Sequence, residues 1–479
     1  KEMNIERVTY LALAAVFSAA SCTKEAAEPD VYDWETGEIY FKPSISDAAY
    51  SRAQDMTLGR LESFQVTCFN MPDRKKDPAG YIAPYFGNAM FMRSGSAVGG
   101  TFISSPDEES YSWPSNEGLI RFFAFSPSLE SMATGNTVNE DDDSGRYFNL
   151  INRTTDTQSG LSISYRLGTM RINPDISRQF DFITAETSGE REKDFKGGVD
   201  LAFKHQLCQI ELRAWGANSV LKYEIAGVRI GNPVVEGEFI FADDSDPASA
   251  GRWTFPDSPV KGKAEYIYNS NATSPSGQEP QSGDRIFIIN KLEHNAQESA
   301  ESIMGSGGNA MVLPTVNKKW EGLADPKIDS TPYSTDRMYI SVLMRITNNY
   351  DNRMVVYPYP GNPDGMNVVY YAVDNSGRIV TRLYPGENTD EYITDQGLRY
   401  EQKPNETIKE FGWAAIPIEA NWEAGKRYIY TINYSEGAGW RDPEDPQPGE
   451  NILNNDVHID FEIAGWKEGT STDVSVPRK

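Results

Sequence analysis

The stretch "VDLAFKHQLCQIELRAW", residues 199–215, alternates apolar and polar side chains with a period of two over most of its length. Such alternation predicts β-strands that bury one face. Similar short runs recur along the chain, for example in "GLIRFFAFSP" (118–127), "LKYEIAGVRI" (221–230) and "RMYISVLMRI" (337–346). Clusters rich in Gly, Pro, Asn and Asp separate these runs, as turns do. The sequence therefore predicts an all-β protein of the sandwich type.

Outward from this stretch, the chain divides into two strand-dense regions. The break falls at "WGANS", residues 215–219, and a chain of 479 residues is long enough for two domains or more. We therefore expect an N-terminal β-sandwich domain over residues 38–215 and a C-terminal β-sandwich domain over residues 216–479. Residues 243–283 are rich in Gly, Ser, Pro, Asn and Asp and are predicted to form a long loop inside the second domain.

The first 21 residues have the pattern of a lipoprotein signal peptide. Basic residues precede the apolar run "LALAAVFSAA" (11–20), which is too short to span a bilayer as a helix. The small residues directly before Cys22 resemble a bacterial lipobox, in which the cysteine is acylated. An ordinary signal peptide followed by an incidental cysteine is the alternative. Residues 22–37 are polar and are predicted to be a tether.

The net charge of −25 bears on the partners of the chain. An acidic surface repels phosphate backbones, so nucleic acid is not an expected partner. Besides Cys22, the chain has only Cys68 and Cys208. Two cysteines do not make a disulfide framework, although an exported protein could join them if its fold brings them together.

No motif in the sequence indicates catalysis. The three histidines, His205, His294 and His458, are not spaced as metal ligands or as part of a triad, and no nucleophile elbow, P-loop or dinucleotide fingerprint occurs. The acidic run "EDDDSG" (140–145) lacks the full spacing of a calcium loop. Paired carboxylates for glycoside hydrolysis remain open, because such pairs meet in space and not in sequence. We expect no catalytic residue, no metal site and no cofactor.

Several blocks, in this order, resemble the fimbrillin family, the Mfa-like and FimA-like lipoprotein pilins of Bacteroidales type V fimbriae. The blocks are "LIRFFAFSP" (119–127), "DFITAE" (181–186), "VDLAFKHQLCQIEL" (199–212), "YEIAGVRIGNPVVEGEF" (223–239), "NAMVLP" (309–314) and "IPIEANWEAGKRYIYTINYSEG" (416–437). The resemblance implies two tandem transthyretin-like β-sandwich domains behind a lipoprotein signal peptide. It also implies a structural or adhesive subunit of a surface fimbria, as tip, anchor or stalk, and not an enzyme.

Two terminal segments could take part in strand exchange. The run "GEIYFKPSI" (37–45) and the run "DVHIDFEIAGW" (456–466) both alternate, and such strands can add to a sheet with a free edge. In the resembling family, an arginine-specific protease removes the first strand and a strand of the next subunit replaces it. The candidate cuts here are Arg52 and Arg60. The candidate groove-filling side chains are Val457, Ile459, Phe461 and Ile463.

The same resemblance implies the partners and the location. Other fimbrial subunits, the outer membrane through a lipid on Cys22, and a host or bacterial surface ligand are the expected partners, and the surface of the outer membrane is the expected location. The alternative is a surface glycan-binding lipoprotein of a polysaccharide-utilisation system. Nine tryptophans and 25 tyrosines support that alternative, because flat aromatic rings stack on sugars. A hydrolase is a third candidate.

Overall fold

A computed structural model provides the structure of the chain. It describes residues 37–45, 56–71, 82–96, 100–107, 109–114, 119–127, 155–156, 164–241, 251–267, 287–289, 294–317, 337–348, 355–358, 368–376, 379–383, 399–404, 411–443, 451–453 and 457–465. The predicted signal peptide, nearly all of the predicted tether, Cys22 and Arg52 lie outside these residues.

Strands make up almost all of the regular secondary structure in the described residues, which confirms the predicted all-β class. Nine strands precede residue 206: β1 (Phe41–Ile45), β2 (Ser63–Met71), β3 (Ala83–Arg93), β4 (Phe102–Ser104), β5 (Leu119–Ser126), β6 (Thr155–Asp156), β7 (Ser164–Arg171), β8 (Ile183–Glu190) and β9 (Val199–His205). Within the described ranges, one helix, α1 (Arg191–Asp194), and the 3-10 turn Ile176–Arg178 lie among these strands.

Nineteen further strands follow in the described residues. They are β10 (Cys208–Trp215), β11 (Leu221–Val234), β12 (Glu236–Ile240), β13 (Arg252–Thr254), β14 (Lys261–Ile267), β15 (Phe287–Ile289), β16 (Glu301–Ser302), β17 (Ala310–Val312), β18 (Val316–Asn317), β19 (Tyr339–Asn348), β20 (Val355–Tyr357), β21 (Val368–Val373), β22 (Ile379–Leu383), β23 (Arg399–Pro404), β24 (Gly412–Pro417), β25 (Ala420–Asn421), β26 (Lys426–Asn433), β27 (Trp440–Arg441) and β28 (His458–Gly465). Two more 3-10 turns are Gln297–Ser299 and Gly305–Gly307. None of the helices in the described part of the chain has the length and apolar character needed to cross a membrane.

Seven of the first nine strands form one sheet whose two ends meet, here called the closed sheet. Its order is β1-β4-β3-β2-β5-β8-β9, with β9 returning to β1. The neighbours are antiparallel except for β1 and β9, which are parallel. Along β9, buried and exposed residues alternate strictly, as the sequence predicts. The inward side chains of all these strands fill one core inside the closed sheet.

Three further sheets organise most of the rest of the described chain. The C-terminal sheet has the order β16-β10-β26-β28, with β17 beside β10, and the central sheet has the order β14-β11-β19-β24-β27. These two sheets share a core, to which β10 contributes Ile210 and Leu212 and β19 contributes Val342 and Met344. The bridging sheet has the order β13-β12-β7-β6. Smaller groups are the pair β18-β25 and the three strands β22-β21-β23.

The sheets do not follow the predicted domain limits of 38–215 and 216–479. Strand β10 lies just before the predicted boundary, yet it pairs in parallel with β26, with Ile210 opposite Tyr428. The chain therefore passes from the closed sheet to the C-terminal sheet at residues 206–207, between β9 and β10. The turn at residues 215–219 does end a strand, but that strand already belongs to the C-terminal sheet. Likewise, residues 251–267 of the predicted loop 243–283 include β13 and β14.

A third core joins the closed sheet to the bridging sheet. Strand β5 is buried on both faces, because Phe122 points into the closed sheet while Phe123 and Phe125 point out of it. Outside, these rings meet Tyr165 of β7 and Phe241, with ring centroids 5.0 Å and 5.2 Å from Phe123. The closed sheet is thus packed against the rest of the chain through aromatic side chains.

A buried ion-pair network fixes the outer side of the central sheet. Arg229 of β11 is fully buried, and its Nε donates to Glu265 Oε2 at 2.8 Å while its Nη1 donates to Asp442 Oδ1 at 3.1 Å. Its guanidinium lies 4.2 Å from the ring centroid of Trp413. A buried charge is tolerated when it is paired and hydrogen-bonded, so these residues tie β11, β14 and β24 to the segment after β27.

Buried tyrosines predict a loss of stability at alkaline pH. Tyr223 and Tyr434 stack at 5.1 Å, and burial raises the pKa of both phenols above the ordinary value. Above pH ~10 the unfolded chain releases these protons while the folded chain keeps them, so the free energy of unfolding falls by up to about 1.4 kcal/mol per pH unit for each group. Urea unfolding at pH 8 and pH 11 should show this fall, and Tyr434→Phe should reduce it. An equal fall in the variant would contradict the assignment.

Candidate functional site

Strand β1 completes the closed sheet and is the candidate site for strand exchange. It pairs in parallel with β9 over five positions, from Phe41 opposite Val199 to Ile45 opposite Phe203, and with β4 only at Phe41 opposite Phe102. Its burial alternates, so that three of its five residues point into the core. Without β1, the edge of β9 that faces it would have no strand beside it.

Phe41 anchors β1 in the core. Its side chain is fully buried, and its ring lies edge-on to Phe91, Phe122 and Phe64, with centroids 4.7, 5.1 and 5.8 Å away. Such aromatic pairs contribute about 0.5–1.5 kcal/mol each beyond the burial of area. The inward position of Phe41 agrees with the alternation of residues 37–45, but nothing in the sequence identified its partners on β2, β3 and β5.

The residues before β1 are held by a second set of contacts. The backbone N–H of Ile39 donates to Tyr111 O at 2.7 Å, and the hydroxyl of Tyr40 donates to Lys196 O at 2.6 Å. Gly198 has φ +73°, and a Cβ there would lie 2.4 Å from the Tyr40 ring. Gly198 thus combines a left-handed backbone with close contact to Tyr40, and no larger residue fits. This role was not predicted from the sequence, where its only signal is a place in a Gly-Gly turn before β9.

Of the two candidate cuts, the described structure contains only Arg60. Its side chain is exposed, in a turn of residues 57–60, and the next residue, Leu61, is fully buried. An arginine-specific protease could therefore reach the Arg60 side chain more readily than the peptide bond that follows it.

The C-terminal candidate strand is observed as β28, at the edge of the C-terminal sheet. It pairs antiparallel with β26, where Phe461 lies opposite Tyr430. The apolar row predicted from the sequence is only partly covered in the subunit. Val457 is buried and Ile459 is half-buried, but Phe461 and Ile463 are 47% and 37% exposed. Half of the predicted groove-filling face is therefore open to solvent.

One buried histidine of β9 pairs with an aspartate. His205 Nδ1 lies 2.8 Å from Asp181 Oδ2, and both side chains are buried, so this pair joins the end of β9 to the segment before β8. No group of three or more potential metal ligands occurs in the described part of the chain.

Cys68 and Cys208 lie inside the cores, and the described tryptophans are largely covered by protein. Cys68 is in the core of the closed sheet and Cys208 in that of the C-terminal and central sheets, both are free thiols, and burial raises the pKa of each. Each tryptophan for which the structure describes burial is buried or half-buried. Flat aromatic platforms for sugars therefore find no support among these tryptophans.

Comparison with known proteins identifies relatives of the chain. Residues 51–298 match the family model described as fimbrillin-like. Among solved structures, a fimbrial protein from Bacteroides vulgatus is 12% identical, with 89% of this chain and 99% of that chain covered and a TM-score of 0.46. Candidate cell adhesion proteins from Bacteroides uniformis and Parabacteroides distasonis are 12% and 9% identical, each covering 90% of this chain and 98% and 97% of their own, with TM-scores of 0.34 and 0.38. No curated protein matches the chain.

Removing the Phe41 ring should loosen β1 selectively. Phe41→Ala leaves a cavity among three aromatic rings, and we expect a loss of about 3–5 kcal/mol in the free energy that holds the strand. Hydrogen exchange of the Val199 amide, which donates to Tyr40 O, would report it. The exposed neighbour gives the control, because Lys42→Ala should change stability by less than about 0.5 kcal/mol. Equal protection of Val199 in both variants would refute the anchoring role.

Proposed function

The chain belongs to the fimbrillin-like family, and from this we propose that it is a structural or adhesive subunit of a cell-surface fimbria. The match over residues 51–298, more than half of the chain, carries the proposal. A subunit of this kind binds other fimbrial subunits through its surfaces and strand edges and has no need of catalytic groups.

Assembly by strand exchange is the mechanism that we propose. The buried residues of β1 fill a groove between β4 and β9, and the chain must be cut between this strand and β2 if β1 is to leave. Arg52 and Arg60 are the candidate cuts from the sequence. Once β1 has left, the free edge of β9 and the empty core positions would accept an alternating strand from another subunit.

The proposed incoming strand is the segment around β28. Two features support it: the i, i+2 spacing of its apolar residues matches that of Ile39 and Phe41, and Phe461 and Ile463 are exposed in the subunit. Burial of these two side chains in a groove would contribute roughly 1.5–3 kcal/mol each. The full proposed set is Val457, Ile459, Phe461 and Ile463.

Two finer features complete the proposal. We propose that the closed sheet and the sandwich of the C-terminal and central sheets are two tandem domains of the transthyretin-like kind, because each has its own core. We also propose export as a lipoprotein, with the lipid on Cys22 holding the chain at the outer membrane and exposed at the cell surface. The assembled fimbria would then bind a ligand on the surface of a host cell or another bacterium.

A change at Cys22 tests the lipid anchor. Cys22→Ala removes the thiol that would carry the acyl chains, each buried CH₂ of which contributes about 0.8 kcal/mol to membrane binding. We expect cells grown with a fatty-acid probe to lose label on this protein, and the protein to leave the membrane fraction. Cys68→Ala is the matched control and should keep both. Continued labelling of the Cys22→Ala protein would exclude this anchor.

A change on the exposed half of β28 tests strand exchange and the fimbrial role together. Phe461→Asp with Ile463→Asp places charges where the free subunit is solvated, so the subunit should fold, but in an apolar groove they would cost several kcal/mol. We expect immunogold electron microscopy to show labelled fibres for the parent and none for the double variant. The variant His458→Ala with Asp460→Ala, on the opposite face, should still assemble.

Two results of this test would be informative in different ways. Normal fibres from the double Asp variant would reject β28 as the incoming strand and leave the fimbrial assignment intact. Fibres of the parent cells that carry no label would contradict the fimbrial assignment itself.

A further inference from the structure

The turn of residues 56–61 helps to fill the core of the closed sheet, as β1 does. It lies between β1 and β2, and the side chains of Met56 and Leu58 pack against the core that β1 also fills. Leu61, the last residue of the turn, is fully buried in that core. The turn contributes apolar side chains from the same part of the chain that carries the candidate cut Arg60.

Arg93 of β3 clamps the backbone of this turn. Its Nη2 donates to Leu58 O at 2.7 Å and to Gly59 O at 3.1 Å, and its Nε donates to Leu61 O at 3.1 Å. The guanidinium also lies 5.9 Å from the ring centroid of the buried Phe102. One half-buried side chain thus binds carbonyls on both sides of the Arg60 residue, with hydrogen bonds strengthened by its charge.

Asp181 fixes the beginning of the same turn. Its Oδ2 accepts a hydrogen bond from the Met56 backbone N–H at 2.9 Å and lies 2.8 Å from His205 Nδ1. The Asp181 and His205 side chains are buried. Since His205 ends β9, the turn is tied to the strand that also pairs with β1.

The bond after Arg60 is held from within the turn as well. The backbone N–H groups of Arg60 and Leu61 both donate to Thr57 O at 2.9 Å. Susceptibility to proteolysis depends on the burial and hydrogen bonding of the backbone around the bond, and a fixed bond is cut only when the segment opens. Cleavage after Arg60 would require the release of these bonds and the removal of Leu61 from the core.

We propose that Arg93 guards the Arg60–Leu61 peptide bond, so that an arginine-specific protease does not hydrolyse it in the folded chain. One consequence rests on the proposed function: if β1 is released for strand exchange, Arg60 is not the cut that releases it. The turn of residues 56–61 stays with the subunit when β1 leaves. Arg93 therefore contributes to keeping Arg60 from serving as the cut.

Limited proteolysis of the purified full chain tests the proposal. With an arginine-specific protease and N-terminal sequencing of the products, we expect the Arg60–Leu61 bond to be hydrolysed at least about 100-fold more slowly than in a synthetic peptide of residues 54–66. Arg93→Met should raise the rate at Arg60 about tenfold or more, the change expected from losing hydrogen bonds to a charged group. Arg191→Met, which removes an exposed arginine of α1, should leave it unchanged.

An internal reporter separates local opening from unfolding. Arg121 and Phe122 are buried in the middle of β5, so the bond between them is cut only if the closed sheet unfolds. If the Arg93→Met protein is also cut after Arg121, its closed sheet has unfolded and a milder variant is needed. Arg93→Lys keeps the charge but not the fork of donors, and its rate of cleavage after Arg60 then tests the proposal. The proposal would be overturned if the parent protein were hydrolysed after Arg60 at a rate within tenfold of the peptide's. It would also be overturned if the variant that keeps the closed sheet folded were hydrolysed there no faster than the parent. Fibres are not measured, so the result stands whether or not the fimbrial role does.

Discussion

The parallel pairing of β1 with β9 is the interaction on which the closed sheet depends. It joins the first described strand to one that lies 158 residues later, from Phe41 to Val199, and it places Phe41 among rings from β2, β3 and β5. Because β1 meets β4 at only one position, nearly all of its backbone pairing is with β9. A strand held in this way can be lost as a unit, since its side chains fill the core but its backbone bonds lie largely along one edge.

The β9 side of the groove is held independently of β1. At the end of β9, His205 bonds Asp181, and the Gln206 side chain donates to Thr184 Oγ1 at 2.7 Å. Trp253 Nε1 donates to Gln206 O at 2.7 Å, which ties the same point to the bridging sheet. These contacts use neither the backbone nor the side chains of β1. A groove whose wall is already fixed requires little further ordering when a strand enters it, which favours binding.

The sequence predicted strands and their faces better than their partners. The alternation of β9 gave its inward residues correctly, because period-two burial is a local property. Strand β10 is buried on both faces, so its pattern could not reveal that it pairs with β26, more than 200 residues later. The turn at residues 215–219, where the sequence suggested a domain limit, marks the end of β10 and not the end of its sheet. Arg93 and Asp181 likewise act on a distant turn, and only the fold brings them there.

The exposure of Phe461 and Ile463 follows from the position of β28 at a sheet edge. Its inner neighbours on β26, Tyr428 and Tyr430, belong to the shared core, while Phe461 lies with its ring centroid 6.2 Å from that of Tyr430 and remains half open to water. For exchange between subunits, this geometry sets a competition. A strand that leaves β26 loses one full ladder of hydrogen bonds and regains another, so the backbone terms nearly cancel. The free energy of exchange then depends on the side chains, and burial in a new groove favours those that are still exposed in their own subunit, Phe461 and Ile463.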